Sequence, residues 1–228
     1  MFGINQKPLA GQLSQREMEK AMLRRMRTIT KESEGTFKFL RNYPKSVTIF
    51  GSTRFTEESR YYEMARRLTE RIARELKYAV ITGGGPGIME AANRGAFEAG
   101  GVSIGMNIKL PEEQEPNKYT TAHLNFYYFF DRKMALSFSA ETYVFFPGGL
   151  GTLDEFLEII TLIQTKKIPR VPVVLVGKEF WSKLDEYFKT ELLEKYKSIS
   201  EEDRNIYTIT DDYDEILDII RKAPLRKE

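Results

Sequence analysis

From residue 46 onward, short runs of β-branched and aromatic residues alternate with longer segments in which apolar residues recur at helical spacing. A short apolar run bounded by glycine or polar residues predicts a buried strand, and the spaced pattern predicts an amphipathic helix. The predicted strands are Val47–Phe50, Ala79–Thr82, Val102–Met106, Asn125–Phe130, Thr142–Phe146, Val173–Val176 and Ile206–Ile209.

Strand and helix alternate through this whole stretch, which is typical of a parallel sheet whose crossover helices cover both faces. Continuous apolar runs such as Tyr143 to Phe146 suit strands that are buried on both faces. We therefore expect an α/β fold: a Rossmann-like, doubly wound, mostly parallel sheet of about seven strands. The helices are predicted near residues 57–76, 88–98, 131–139, 150–165, 179–197 and 213–222.

The 228 residues suit one domain of ordinary α/β size with a terminal addition. We expect an N-terminal extension over residues 1–45 and a single nucleotide-binding catalytic domain over residues 46–228. A helix from about Ser14 to Leu40 is basic on one side and apolar on the other. Binding to RNA or to a membrane surface stays open for this helix, but its interspersed acidic residues favour packing on the domain or on a partner subunit.

Overall composition excludes several classes of function. Thirty-five basic and thirty-three acidic residues leave a net charge of +2, so the overall charge balance does not call for a nucleic acid or membrane partner. The absence of cysteine and the single histidine, His123, argue against zinc sites and Ser-His-Asp triads, and we expect a structural role for His123. No apolar run approaches the ~20 residues that span a bilayer, so we expect a soluble cytoplasmic protein.

The segment Pro147-Gly148-Gly149-Leu150-Gly151-Thr152-Leu153-Asp154-Glu155 follows a predicted strand and opens a helix. Its glycines let the backbone approach a ligand closely, and the first amides of the helix lack intrahelical partners. Such a loop can bind phosphate. Glu155 in the same neighbourhood would be repelled by a phosphate, which suggests that the carboxylate acts on another part of the ligand.

A second glycine loop, Gly83-Gly84-Gly85-Pro86-Gly87, and the pair Gly51-Ser52 also follow predicted strands. Ligands of open parallel sheets bind at this carboxyl edge, so the loops are expected to face one pocket. Neither loop ends in the Gly-Lys-Ser/Thr of a P-loop. The loop from Gly83 to Gly87 departs from the G-x-G-x-x-G spacing of dinucleotide-binding sites, and no acidic residue ends the next predicted strand. A monophosphate site is favoured over a redox dinucleotide or a nucleoside triphosphate.

Arg132 and Lys133 begin a predicted helix directly after a strand, at the same edge of the sheet. A guanidinium there can form paired hydrogen bonds with a phosphate or carboxylate and can favour the ionised form of Glu155.

Together, the segment from Pro147 to Glu155 and the upstream Arg132-Lys133 resemble the LOG family of cytokinin riboside 5′-monophosphate phosphoribohydrolases, often labelled lysine decarboxylases. The segment from Gly83 to Ala91 is similar to that family's first glycine loop. The resemblance covers residues 47–176.

This resemblance implies hydrolysis of the N-glycosidic bond of a nucleoside 5′-monophosphate, such as AMP, without a metal or organic cofactor. It implies that Arg132 and Glu155 are the catalytic pair and that the protein is a homodimer or a higher homo-oligomer. The residues expected to bind substrate are Gly51, Ser52, Gly84, Gly85, Gly87, Glu113, Lys133, Gly148, Gly149, Gly151, Thr152 and Thr161.

A carrier without catalytic activity, for a nucleotide or for molybdenum cofactor, is the alternative on the same scaffold. Retention of both Arg132 and Glu155 favours the enzyme, because a carrier needs the glycine loops but no carboxylate near the sugar. The aromatic run from Phe126 to Phe130 could stack on a base, but core packing or a subunit interface is favoured.

Overall fold

The computed structural model describes residues 13–109 and 116–225. The strands are β1 Ser46–Phe50, β2 Ala79–Thr82, β3 Ser103–Ile108, β4 Ala122–Phe126, β5 Thr142–Phe145, β6 Val173–Leu175 and β7 Tyr207–Ile209. The α-helices are α1 Gln15–Leu40, α2 Arg60–Arg71, α3 Ile88–Glu98, α4 Phe129–Ser137, α5 Leu150–Gln164, α6 Lys178–Tyr187, α7 Glu201–Arg204 and α8 Tyr213–Lys222. Helices α2 and α6 continue as π-helical turns over Ile72–Leu76 and Phe188–Lys195.

The seven strands form one sheet in the order β4-β3-β2-β1-β5-β6-β7, and every neighbouring pair is parallel. The predicted doubly wound α/β sheet is confirmed, and it is parallel throughout. Strand β1 is central, since Val47 lies opposite both Val80 of β2 and Thr142 of β5. The winding direction reverses between β1 and β5, and crevices at such reversals are where this class of sheet binds ligands.

Two hydrophobic clusters, one on each face of the sheet, make up the core. Phe145, Phe156 of α5 and Trp181 of α6 belong to one cluster, and Leu68 of α2 and Ile216 of α8 belong to the other. Successive side chains of a strand point to opposite faces, so a strand that serves both clusters is expected to be mostly apolar. This explains the consecutive apolar residues Tyr143, Val144 and Phe145 of β5, where a fully buried apolar side chain contributes about 1.5–3 kcal/mol.

The prediction of a strand over Asn125–Phe130 is wrong. Strand β4 ends at Phe126, the chain turns, and α4 begins at Phe129. Of the aromatic run only Phe126 is fully buried, whereas Tyr127, Phe129 and Phe130 are more than half exposed. β4 is an edge strand with alternating burial, and His123 lies in it opposite Gly105. Its mixture of polar and apolar residues is therefore a weaker strand pattern than the aromatic run that follows it.

Helix α1 begins with a capping box, in which Ser14 and Glu17 bond each other's backbone amides. Its second half packs on the rest of the chain, with Thr36 buried and the ring of Phe37 6.4 Å from that of Phe138. Its first half exposes Met18, Met22, Leu23 and Met26. Across the described residues, none of the helices combines the length and apolar character needed to cross a membrane.

Candidate active site

The loop between β5 and α5 has the geometry of an anion site. Gly149 precedes the first turn of α5, and no side chain of the described residues caps the amides of that turn. Apart from adjacent residues and the backbone of α5 itself, no described atom lies within 4 Å of where a Cβ would stand on Gly149 or Gly151, so both face open space. The predicted phosphate loop therefore has uncapped amides at the positive end of a helix and room for a ligand beside them.

Hydrogen bonds join this loop to the loops that follow β1 and β2. The Ser52 amide donates to the Pro147 carbonyl at 3.1 Å, and the Ile88 amide donates to the Ser52 carbonyl at 3.0 Å. Gly87 has a φ of 71°, and a Cβ there would collide with the Ser52 carbonyl, so only glycine allows this close approach. The two glycine loops and Gly51-Ser52 thus form one continuous surface at the carboxyl edge of the sheet.

Arg132 lies in the first turns of α4, and its side chain is anchored to the ends of two strands. Its Nε donates to the Met106 carbonyl at 2.7 Å, and its Nη2 donates to the Gly83 carbonyl at 3.4 Å. A Cβ on Gly83 would collide with the guanidinium, so this glycine makes room for it. Burial lowers the pKa of Arg132 and nearby Glu155 raises it, and the guanidinium remains charged at neutral pH.

Glu155 lies in the second turn of α5 and is only 9% exposed. Its Oε2 accepts no hydrogen bond from any donor in the described residues. Burial raises the pKa of Glu155 to about 7, although the charges of Lys133 and Arg132 oppose this shift. A carboxyl group with this pKa exists in both protonation states at neutral pH, as proton transfer to and from a substrate requires.

Lys133 binds acidic side chains on α5. Its ammonium contacts Asp154 Oδ2 at 2.6 Å and Glu158 Oε2 at 2.7 Å, and these two carboxylates stand on either side of Glu155 in the sequence. The predicted direct contact of Lys133 with substrate stays a prediction. In the structure the ammonium holds α4 against α5 and lowers the pKa of Glu155.

Thr152 and Thr161 occupy opposite ends of α5. Thr152 is buried at the glycine loop, where a Cβ on Gly148 would collide with its hydroxyl. Thr161 is exposed in the last turn, nine residues or ~14 Å along the helix from Thr152. The structure therefore does not bring Thr161 to the loops, and Glu113 lies outside the described residues.

A cavity of about 390 Å³ opens at the switch point between β1 and β5, beside the phosphate loop. Three aromatic side chains, three residues of the loop and three polar residues line it. Arg132 and Glu155 are not among the lining residues, and the hydrogen bonds of Arg132 go instead to Met106 of β3 and to Gly83 after β2. The lining residues are Ser52, Phe55, Tyr61, Pro147, Gly148, Gly149, Glu179, Phe180 and Lys183.

Several asparagines support the second glycine loop and were not predicted as site residues. Asn107 Nδ2 donates to Asn125 Oδ1 at 3.2 Å, and its Oδ1 lies where a Cβ on Gly84 would stand. Asn117 Nδ2 donates to the Gly85 carbonyl at 3.1 Å. Asn107 directly follows the apolar part of β3, so its position at the carboxyl end of a strand was the signal available in the sequence.

Three comparisons relate this chain to known proteins. Residues 89–220 match the family model described as "Possible lysine decarboxylase". The chain is 26% identical over 159 residues to a cytokinin riboside 5′-monophosphate phosphoribohydrolase of Rhodococcoides fascians, covering 67% of this chain and 78% of that protein. It is 27% identical over 176 residues to a probable enzyme of the same name from Arabidopsis thaliana, covering 77% and 81%.

Solved structures with the same fold include a molybdenum cofactor binding protein of Rippkaea orientalis, with a TM-score of 0.56, 22% identity and coverage of 77% of this chain and 93% of that one. The molybdenum cofactor carrier protein of Chlamydomonas reinhardtii gives a TM-score of 0.57 and 22% identity, covering 78% and 97%. At such identities these structures support the fold alone. The family match spans more than half of the chain and agrees with the glycine motifs and the Arg132–Glu155 pair, so this chain belongs to the LOG family, the family labelled possible lysine decarboxylase.

Proposed function

We propose that this protein is a nucleoside 5′-monophosphate phosphoribohydrolase, which hydrolyses the N-glycosidic bond of AMP or of a cytokinin riboside monophosphate. The products are the free base and ribose 5-phosphate. The observation that carries the proposal is Glu155, a buried carboxyl group with a pKa of about 7 in the helix that begins at the uncapped phosphate loop. Both curated relatives are named for this reaction.

The 5′-phosphate would accept hydrogen bonds from the amides of Gly149 to Thr152 and from the Thr152 hydroxyl. Uncapped amides and the helix dipole favour an anion here. The phosphate takes no part in bond cleavage, so its binding energy serves to hold the ribose in position for attack.

Cleavage of the bond between C1′ and the base nitrogen develops positive charge on the ribose ring. Ionised Glu155 stabilises that charge and accepts a proton from the attacking water as its oxygen bonds to C1′. The electrons of the broken bond leave with the base, which takes up a proton. Arg132, held by the Met106 and Gly83 carbonyls, positions the ligand and favours the ionised form of Glu155.

This mechanism uses water, the Glu155 carboxylate and the Arg132 guanidinium. As part of the same proposal, the enzyme needs no cofactor, is located in the cytoplasm and forms a homodimer or a higher homo-oligomer. The exposed Tyr127, Phe129 and Phe130 lie just before Arg132 and are suited to a subunit contact near the site.

A time course with purified protein and AMP tests the proposal, with adenosine as the matched substrate that lacks phosphate. We expect equimolar adenine and ribose 5-phosphate from AMP and far slower release of adenine from adenosine. Intact AMP at the end of the time course, with AMP binding measured in parallel, would contradict the proposed activity.

A carrier function is the second candidate, because the 390 Å³ cavity is lined by aromatic side chains and lies apart from Arg132 and Glu155. A flat ring joined to a phosphate could bind there without meeting either residue. The variant Phe180→Ala separates the two functions. A carrier loses ligand affinity in this variant and never hydrolyses AMP, whereas the enzyme is identified by turnover that depends on Glu155.

A further inference from the structure

Helix α1 contacts the start of α4 through three polar side chains. Ser33 Oγ donates to Asp131 Oδ1 at 2.7 Å. Glu32 Oε1 accepts a hydrogen bond from the Tyr127 amide at 3.1 Å. Asp131 is only 1% exposed, so this junction is closed to solvent on the α4 side.

The junction brings two carboxyl groups together. Glu32 Oε2 and Asp131 Oδ2 are both buried and accept no hydrogen bond from the described residues. Burial and the adjacent Asp131 raise the pKa of Glu32, against the opposing effect of the Tyr127 and Tyr128 amides. Burial and the adjacent carboxyl group of Asp131 therefore both disfavour a negative charge on Glu32.

Glu32 also binds the backbone just before α4. Tyr128 is the residue before α4, and no side chain of the described residues supplies a cap hydrogen bond from that position. Glu32 accepts from the preceding amide instead and lies close to the Tyr128 amide. A side chain of another helix thus holds the backbone at the point where α4 begins.

The first turn of α4 includes Arg132. The Arg132 amide donates to the Tyr128 carbonyl at 3.2 Å, and Asp131, which Ser33 holds, directly precedes it. The guanidinium meets its two carbonyl acceptors only while this turn keeps its position.

We propose that Glu32 and Ser33 of the N-terminal helix are positioning residues for Arg132, because they hold the first turn of α4 through Tyr127 and Asp131. The effect on turnover rests on the proposed function, whereas the effect on the turn does not. The N-terminal helix is then a working part of the catalytic site as well as a packing element.

Steady-state kinetics on AMP with Glu32→Ala, Glu32→Gln, Ser33→Ala and the control Glu34→Ala test the proposal. Glu34 is exposed on the same helix. We expect Glu32→Ala and Ser33→Ala to lower kcat at least ~10-fold with little change in KM, since small displacements of a catalytic group can cost up to ~100-fold. Glu32→Gln should restore most of the activity, because its amide can donate to Asp131 and still accept from Tyr127.

Amide hydrogen exchange of residues 128–132 supplies a readout that does not depend on turnover. We expect faster exchange there in Glu32→Ala and Ser33→Ala, with wild-type exchange in Glu34→Ala and Glu32→Gln. Unchanged exchange and unchanged kcat in Ser33→Ala, the variant that perturbs folding least, would overturn the proposal. If the wild-type protein does not cleave AMP, the proposed function fails, and the exchange measurement alone still decides whether α1 holds this turn.

Discussion

Replacing Glu155 by Gln should make the protein more stable at alkaline pH, because the wild-type carboxylate is buried and incompletely paired. The pKa of Glu155 rises from 4.5 in a model carboxyl to about 7 in the folded protein. Between these values the folded state keeps a proton that the unfolded chain releases. The contribution of Glu155 to the free energy of unfolding is therefore greatest below pH 4.5, falls as the pH rises, and is lost above pH 7.

The size of the effect follows from the pKa shift. One pKa unit corresponds to 1.36 kcal/mol. Relative to acidic pH, titration of Glu155 therefore lowers the free energy of unfolding by about 3 kcal/mol at pH 8 and by roughly 1 kcal/mol at pH 5. Glutamine has nearly the same shape and no charge, so it should remove most of this dependence. For a chain of this length 1 kcal/mol corresponds to about 2–4 °C in Tm, which predicts that the Tm advantage of Glu155→Gln grows by roughly 5–10 °C between the two pH values.

Thermal unfolding followed by circular dichroism at pH 5 and pH 8 measures this difference. The control is Glu186→Gln, an exposed glutamate of α6 whose replacement should leave the pH dependence unchanged. Parallel Tm curves for wild type and Glu155→Gln across this range would refute the reasoning, since they would mean that Glu155 titrates at an ordinary pKa in the folded protein.

Two further variants test other parts of the site. Lys133→Met removes a positive charge that lowers the pKa of Glu155, so the acidic limb of the pH profile of kcat/KM for AMP should move to higher pH. The control is Lys189→Met, at an exposed lysine. An acidic limb that does not move would contradict the electrostatic coupling between Lys133 and Glu155. Gly149→Ala should weaken AMP binding at least ~10-fold with a Tm near wild type, because its Cβ enters the open ligand space. Gly84→Ala should instead lower the free energy of unfolding by ~1–3 kcal/mol, because φ is 74° at this residue and the added Cβ would collide with Asn107. Calorimetry measures both AMP affinity and Tm, and a destabilised Gly149→Ala beside a Gly84→Ala of wild-type stability would contradict this assignment.

The sheet was predictable because its central strands are buried on both faces, which leaves a local apolar signature. The turn from β5 into α5 was predictable for a related reason, since glycines after a buried strand allow a tight turn into a helix. The edge strand β4 was misplaced because aromatic residues favour strands by composition alone. Whether such a residue is buried depends on neighbours that are distant in sequence, and Phe129 lies in a helix and is exposed.

The candidate site residues were chosen from the sequence by type, but their environments could not be predicted. No local pattern indicates that the Lys133 ammonium reaches Asp154 and Glu158, since that contact depends on the distance between α4 and α5. The burial that raises the pKa of Glu155 likewise arises from packing around α5. The Ser33–Asp131 contact joins residues 98 positions apart and could be found only in three dimensions.

The most direct test of the central claim compares wild type and Glu155→Gln for release of ribose 5-phosphate from saturating AMP, with AMP affinity measured by calorimetry on the same samples. We predict that turnover falls by several orders of magnitude in the variant while Kd changes less than ~10-fold, because Glu155 acts on the ribose and not on the phosphate. Equal turnover in the two proteins would contradict the role of Glu155 as the catalytic carboxylate.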